Sequence, residues 1–157
     1  MSEIHPLAGK HILLVDDETD VLETLEDLLY MCHLEAASSF EEARDKLEMH
    51  YFDIAILDIM GVQGYDLLKL ASEKDVLCVM LTANAMTPQD IERSYQEGAA
   101  SFLPKEKMGD IDVFLNDILE AKKRGKSVWW RWFDRLADYF ENKFGPDWQN
   151  KHGITVK

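Results

Sequence analysis

Five polar residues stand at or just after the ends of short apolar runs, and their types could together carry out phosphoryl transfer. They are Asp16, Asp17, Asp58, Thr82 and Lys105. Carboxylates at close quarters repel one another unless a cation joins them, and hard oxygen ligands suit Mg²⁺. The lysine and the threonine hydroxyl add donors for an anion at the same place. The set therefore favours a phosphoryl-transfer site with an aspartate as nucleophile.

The apolar runs are predicted to be buried β-strands, which would bring these residues together. The predicted strands are 11–15, 34–37, 54–57, 76–81 and 99–103. The intervening segments predict helices over 20–31, 40–50, 65–72, 88–98 and 111–123. This alternation indicates a doubly wound α/β fold around a five-stranded parallel sheet. Ligands of such sheets bind beyond the carboxyl ends of the strands, so the five residues are expected at one edge.

Two of the predicted helices carry N-terminal signals. Ser39 can cap the second helix, with Glu42 at its third position as in a capping box. Thr87 can cap the fourth, with Pro88 in its first turn. These residues predict where both helices begin.

The motifs at the strand ends resemble the receiver domain of two-component response regulators. They are DD at 16–17, LD at 57–58, TA at 82–83 and SFLPK at 101–105, in this order. The resemblance covers about residues 9–124 and implies a flavodoxin-like (βα)5 fold. It implies that Asp58 accepts a phosphoryl group from a sensor histidine kinase or phosphotransfer protein, and that the output is contact with a downstream protein.

The resemblance also implies roles for the neighbouring residues. Asp16, Asp17, Asp58 and the backbone carbonyl of Met60 would hold Mg²⁺. Thr82 would bond the phosphoryl oxygen after activation, and Lys105 would pair with it. Phe102 matches the aromatic switch position of the family, although plain core packing explains a phenylalanine there equally well.

The loop after Asp58 departs from the family pattern. The sequence LDIMGVQGYDLL lacks the usual proline, and Gly64 follows Asp58 after six residues instead of eight. The loop over the site is therefore expected to be about two residues shorter. Chemistry at Asp58 should survive, while the rate of phosphorylation and the fit of a kinase are the properties that this loop would change.

Composition limits the remaining function classes. The chain has 157 residues and a net charge of −13, which argues against nucleic-acid binding. No uncharged stretch is long enough to span a bilayer, and the first residues lack the pattern of a signal peptide. Cys32 and Cys78 form no CxxC motif and fit a reducing compartment. We therefore expect a cytoplasmic protein with neither DNA binding nor a transmembrane segment.

The last 33 residues differ from the rest. Residues 1–124 carry 26 acidic and 11 basic side chains, whereas 125–157 carry 4 and 6, which predicts a receiver domain over 1–124 and a tail over 125–157. Residues 128–144 predict an amphipathic helix. Its apolar stripe consists of Trp129, Trp132, Phe133, Leu136 and Phe140.

Three positions for this helix stay open. It could fold back on the receiver domain, or its stripe could contact a partner or a second copy in a homodimer. A membrane surface is the third alternative. The tail is too short for a helix-turn-helix domain with its own core.

The expected function is a phosphorylation-dependent switch that signals through protein contacts. We expect no enzyme activity beyond taking up the phosphoryl group and later hydrolysing it. The alternative is a phosphorylation-independent scaffold that acts through its C-terminal helix. An aspartyl phosphatase ranks last, because it would commonly need a second carboxylate where Met60 stands.

Overall fold

The sheet confirms the predicted α/β architecture. The computed structural model describes residues 5–83, 87–126 and 129–151. Five parallel strands lie in the order β2-β1-β3-β4-β5. The strands are β1 (His11–Val15), β2 (His33–Ala37), β3 (Ile54–Asp58), β4 (Leu77–Thr82) and β5 (Ser101–Pro104). The direction of the strand order reverses at β1, so the connecting helices cover both faces, as in flavodoxin-like folds.

The strands are nearly continuous apolar runs because helices cover both faces of the sheet. All five residues of β3 are buried, including Asp58. β2 lies at one edge, with His33 exposed and three of its residues only half-buried. This edge position explains why β2 has the weakest apolar pattern of the five.

Helices connect the strands and continue beyond them. The α-helices are α1 (Thr19–Leu28), α2 (Phe40–Met49), α3 (Gly64–Glu73), α4 (Pro88–Gln96), α5 (Ile111–Arg124), α6 (Trp129–Phe144) and α7 (Trp148–Lys151). A 3-10 helix, Lys105–Asp110, joins β5 to α5. Neither the 3-10 helix nor α7 was predicted, because each is too short for a periodic pattern.

Both predicted helix starts are confirmed. The Ser39 side chain accepts a hydrogen bond from the Glu42 backbone N–H at 3.2 Å. Thr87 forms a complete capping box with Asp90, and Pro88 lies in the first turn of α4. These side chains satisfy N–H groups that the first turn of a helix leaves without intrahelical partners.

The end of α1 differs from the prediction by three residues. Apolar spacing predicts a helix to residue 31, but α1 ends at Leu28. Leu29 is still fully buried, while its backbone leaves the helical conformation. The Cys32 N–H then bonds to the Leu29 carbonyl at 2.9 Å and turns the chain into β2. The burial of Leu29 produced the longer apolar pattern without requiring a longer helix.

The tail helix folds back on the receiver region. Gly125 ends α5 in the left-handed conformation, with φ of 67°, and α6 begins at Trp129. The buried stripe residues share one core with the strands; they are Trp129, Trp132, Leu136 and Phe140. We call their contact with α4, β5 and α5 the tail interface.

The tail interface corresponds to one of the three positions left open for this helix, namely folding back on the receiver domain. The four side chains, which were also candidates for contact with a partner, are buried against the chain's own receiver region. A wide stripe of tryptophan and phenylalanine is costly to leave in water, and the short connection keeps it beside α5. The Phe133 side chain lies outside the described residues. Within the described residues, none of the helices has the length and apolar character needed to cross a membrane.

Candidate functional site

Parallel strand ends bring the predicted polar residues to one edge of the sheet. Asp16 directly follows β1, and its backbone N–H bonds to the Ala37 carbonyl at 3.2 Å. In the sheet Asp58 pairs with Leu81 of the neighbouring strand. Lys105 follows β5 directly as the first residue of the 3-10 helix. The side chains converge because each strand ends at the same level.

Lys105 joins three carboxylates in the centre of this group. Its Nζ lies 2.9 Å from Asp16 Oδ2, 3.0 Å from Glu18 Oε1 and 3.3 Å from Asp58 Oδ1. Burial alone would lower the pKa of Lys105, but the adjacent carboxylates outweigh burial and raise this pKa above its ordinary value. The lysine therefore stays charged and holds the carboxylates together. We call the group Asp16, Asp17, Glu18, Asp58 and Lys105 the acidic rim.

Asp16 is the fully buried carboxylate of the acidic rim. Burial raises its pKa, against the lowering effects of Lys105 and of the Glu18 backbone N–H, which donates to Asp16 Oδ1 at 2.9 Å. Oδ2 is close to the Lys105 ammonium but poorly aligned with it. Among the described residues, it receives no well-directed hydrogen bond. A buried oxygen in this state has coordinating capacity left for a cation.

Asp58 faces an open cavity of about 290 Å³ and is held at both oxygens. Oδ1 contacts Lys105, and Oδ2 accepts a hydrogen bond from the Gly61 backbone N–H at 3.1 Å. The residue is only 5% exposed, yet it lines the cavity with Asp17 and Glu18. Its carboxylate is therefore fixed in orientation while remaining open to a small reactant.

Two glycines let the short loop after Asp58 pass close to the acidic rim. A side chain on Gly61 would collide with the Asp17 carboxylate, and one on Gly64 would collide with the Asp58 backbone carbonyl. Gln63, which precedes α3, has a positive φ of 54°. Both positions therefore require glycine because of close approach, of Gly61 to the Asp17 carboxylate and of Gly64 to the Asp58 backbone.

The remaining predicted site residues occupy three different settings. Thr82 ends β4 and is buried, and its hydroxyl donates to the Ala83 carbonyl at 3.4 Å. Phe102 is fully buried inside β5. Met60 lines the cavity, but its side chain is 84% exposed. The proposed roles of Thr82 as a switch and of the Met60 carbonyl as a metal ligand stay predictions.

Three neighbouring acidic residues could hold a divalent metal ion. Oxygen atoms of Asp16, Asp17 and Glu18 lie within 4.8 Å of one another. This oxygen-only donor set, with the buried Asp16 Oδ2, fits a hard cation such as Mg²⁺. Glu18 was not predicted from the sequence as a ligand, because it directly precedes α1, where an acidic residue is typical of a helix start. The usable signal was a third acidic residue directly after the Asp pair.

Comparison with known proteins agrees with this geometry. The family model described as the response regulator receiver domain matches residues 12–115. The heme response regulator HssR of Staphylococcus saprophyticus is 36% identical over 98 residues, covering 59% of this chain and 43% of that protein. The two-component response regulator ORR24 of Oryza sativa subsp. japonica is 32% identical over 132 residues, covering 74% and 21%. The chain thus spans less than half the length of these relatives.

Solved structures show the same fold. A receiver domain protein from Clostridium thermocellum is 25% identical, with a TM-score of 0.63, and the match covers 73% of this chain and 97% of that chain. A response regulator from Chloroflexus aurantiacus is 28% identical, with a TM-score of 0.64, and the match covers 71% and 98%. Motifs, strand-end geometry and family model agree over the same residues, and the chain therefore belongs to the response regulator receiver domain family.

Proposed function

We propose that this chain is a phosphorylation-dependent signalling switch in which Asp58 accepts a phosphoryl group from a histidine kinase or phosphotransfer protein. Membership of the receiver family supports phosphorylation-dependent signalling in general. The observation that supports Asp58 is its position. It lines the cavity together with Asp17 and Glu18, with Lys105 at 3.3 Å and the Gly61 N–H at 3.1 Å.

The proposed transfer needs a nucleophile, positive charge and space. An Asp58 oxygen attacks phosphorus as the bond from phosphorus to the donor's imidazole nitrogen breaks, and the imidazole leaves with that electron pair and takes up a proton. Lys105 and the Gly61 N–H lie where they can neutralise charge on the transferred oxygens. A bound Mg²⁺ would supply further positive charge to the phosphoryl oxygens, and Asp16, Asp17 and Glu18 are the residues that would hold it. Later attack by water on the phosphorus breaks its bond to the Asp58 oxygen, which releases inorganic phosphate and returns the free carboxylate.

The activity proposed here is limited to this cycle of phosphorylation and hydrolysis, in a cytoplasmic setting with a protein as downstream target. The scaffold alternative depended on a tail helix that is free to assemble partners. The described side chains of its apolar stripe, Trp129, Trp132, Leu136 and Phe140, are buried in the tail interface, so we do not propose that function.

The test is intact mass after incubation with acetyl phosphate and Mg²⁺. Wild type should gain one phosphoryl group, and Asp58→Asn should gain none. Asp53→Asn is the matched control, because Asp53 precedes the same strand at its opposite end and binds the His11 N–H at 2.8 Å. Asp53→Asn should be labelled like wild type. Label that survives in Asp58→Asn would overturn the assignment.

A further inference from the structure

The tail interface is concentrated on the segment of chain that also carries Lys105. The Trp129 indole N–H donates to the Ala99 carbonyl at 3.1 Å. The Trp132 indole N–H donates to the Phe102 carbonyl, and the Tyr139 hydroxyl donates to the Glu106 carboxylate. Three side chains of α6 therefore hold the stretch 99–106.

The same stretch is held from its other side by the acidic rim. Lys105 contacts Asp16, Glu18 and Asp58, while its neighbour Glu106 contacts α6. The Phe102 ring meets the Trp132 ring edge-on, with centroids 6.4 Å apart. Contacts with α6 therefore oppose any movement of Lys105 that also displaces Phe102 or Glu106.

Two arginines of α6 form ion pairs with one carboxylate of α5 and hold α6 in the docked position. Arg135 contacts both oxygens of Asp117 on α5, at 2.6 and 3.0 Å, and Arg131 lies 3.7 Å from the same carboxylate. Asp117 is buried beneath them. Burial and the Glu106 carboxylate raise the pKa of Tyr139, so its phenol stays protonated and can donate. The docked α6 thus presents rigid donors to the 99–106 segment.

We propose that α6 is a built-in restraint on the switch: docking of α6 favours the unphosphorylated arrangement of Lys105, and phosphorylation of Asp58 weakens that docking. This inference rests on the proposed phosphorylation of Asp58. A phosphoryl group adds nearly two negative charges and three strong acceptor oxygens beside Lys105. Because Lys105 already lies 3.3 Å from Asp58, the added group must fit between the two, compete with Asp16 and Glu18 for the ammonium group and displace Lys105 from its present position.

Lys105 is directly bonded to Glu106 and follows Phe102 by three residues, and α6 contacts both of these residues. Hydrogen bonds weaken steeply when their geometry is disturbed, so movement of Lys105 reduces the contacts of Glu106 with Tyr139 and of Phe102 with Trp132. Coupling between two sites is reciprocal, because it is a free energy that both share. Loosening α6 must therefore make phosphorylation more favourable.

The experiment compares Tyr139→Phe with Tyr51→Phe in the full chain. Both substitutions remove a phenol that donates to a carboxylate, and the Tyr51 hydroxyl bonds to Asp53 at 3.0 Å, away from α6 and the acidic rim. The phosphorylated fraction is measured by intact mass across an acetyl phosphate series with Mg²⁺. Tyr139→Phe should reach half-maximal labelling at an acetyl phosphate concentration about two to five times lower than wild type. Tyr51→Phe should match wild type.

Hydrogen exchange supplies the reciprocal measurement. Backbone amides of α6 should exchange faster in the phosphorylated wild type than in the unphosphorylated protein, while amides of α2 should not change. The restraint is overturned if wild type is labelled normally, its α6 amides exchange at the same rate with and without phosphorylation, and Tyr139→Phe needs the same acetyl phosphate concentration as wild type for half-maximal labelling. That result would leave the proposed function intact. If wild type gains no phosphoryl mass at all, the proposed function fails and the restraint fails with it.

Discussion

The acidic rim and the tail interface are built from opposite kinds of contact. In the acidic rim one ammonium group holds three carboxylates around an open cavity. In the tail interface aromatic rings pack against one another. The centroid of the Trp132 ring lies 5.0 Å from that of Trp129 and 5.1 Å from that of Phe140. The first region leaves room for a reactant, and the second excludes water.

This difference separates the reactive part of the molecule from a stabilising part. Clustered carboxylates cost stability because they repel one another and one of them is buried. Buried aromatic side chains contribute stability through apolar area and ring contacts. We therefore expect substitutions in the tail interface to change the free energy of unfolding, and substitutions in the acidic rim to change ligand binding instead.

The largest expected effect is on stability and comes from Trp132. Replacing Trp132 by Ala removes a fully buried indole, its hydrogen bond to the Phe102 carbonyl and its contacts with the rings of Trp129, Phe140 and Phe102. The free energy of unfolding should fall by about 3–5 kcal/mol. Urea denaturation followed by tryptophan fluorescence and circular dichroism measures it. A loss below about 1 kcal/mol would show that α6 contributes little to the fold, and the contrast between the two regions would fail.

A smaller loss of stability is expected at Arg135. Arg135→Ala removes the two-point contact with Asp117 and leaves a buried carboxylate with a longer contact to Arg131. The free energy of unfolding should fall by about 2 kcal/mol, because a buried charge that loses its partner is penalised. The double variant Arg135→Ala, Asp117→Asn should recover part of the loss. Equal stability of Arg135→Ala and wild type would mean that the pair does not hold α6.

The acidic rim could be predicted from sequence more fully than the tail interface. Asp58 and Lys105 follow apolar runs, and parallel strands place such residues together whatever the details of packing. Glu18 was missed because its role depends on reaching a lysine 87 residues away. The stripe of α6 showed that one face must be buried, but the periodic pattern contains no information on which surface covers it. The contact between Trp132 and the Phe102 carbonyl therefore emerged only from the structure.

Replacing Asp17 by Asn should affect metal binding without affecting stability. Asp17 is exposed, so the free energy of unfolding in the absence of metal should change by no more than about 0.5 kcal/mol. Mg²⁺ affinity at neutral pH should fall at least about tenfold, because one charged oxygen ligand of the cluster becomes neutral. Titration calorimetry checks the affinity. Asp27→Asn on α1 makes the same charge change at an exposed position outside the cluster and should bind Mg²⁺ like wild type.

The smallest expected effect is a pH dependence of the tail interface at alkaline pH. Burial raises the pKa of Tyr139 above its ordinary value of 10, and the Glu106 carboxylate raises it further. The folded protein therefore retains this proton at a pH where the unfolded chain loses it. The stability from Tyr139 is fully present below pH 10 and is lost as pH rises through its raised folded-state pKa.

Urea denaturation at a series of pH values from 9 upward can isolate this contribution by comparison with Tyr139→Phe. Wild type should lose stability more steeply than the variant, by less than the limit of about 1.4 kcal/mol per pH unit for a single proton. Other tyrosines and lysines titrate in both proteins, so the difference between the two slopes reports Tyr139 alone. Parallel slopes would show that Tyr139 does not hold Glu106 in solution, and that the tail interface depends on its aromatic core and on Arg135.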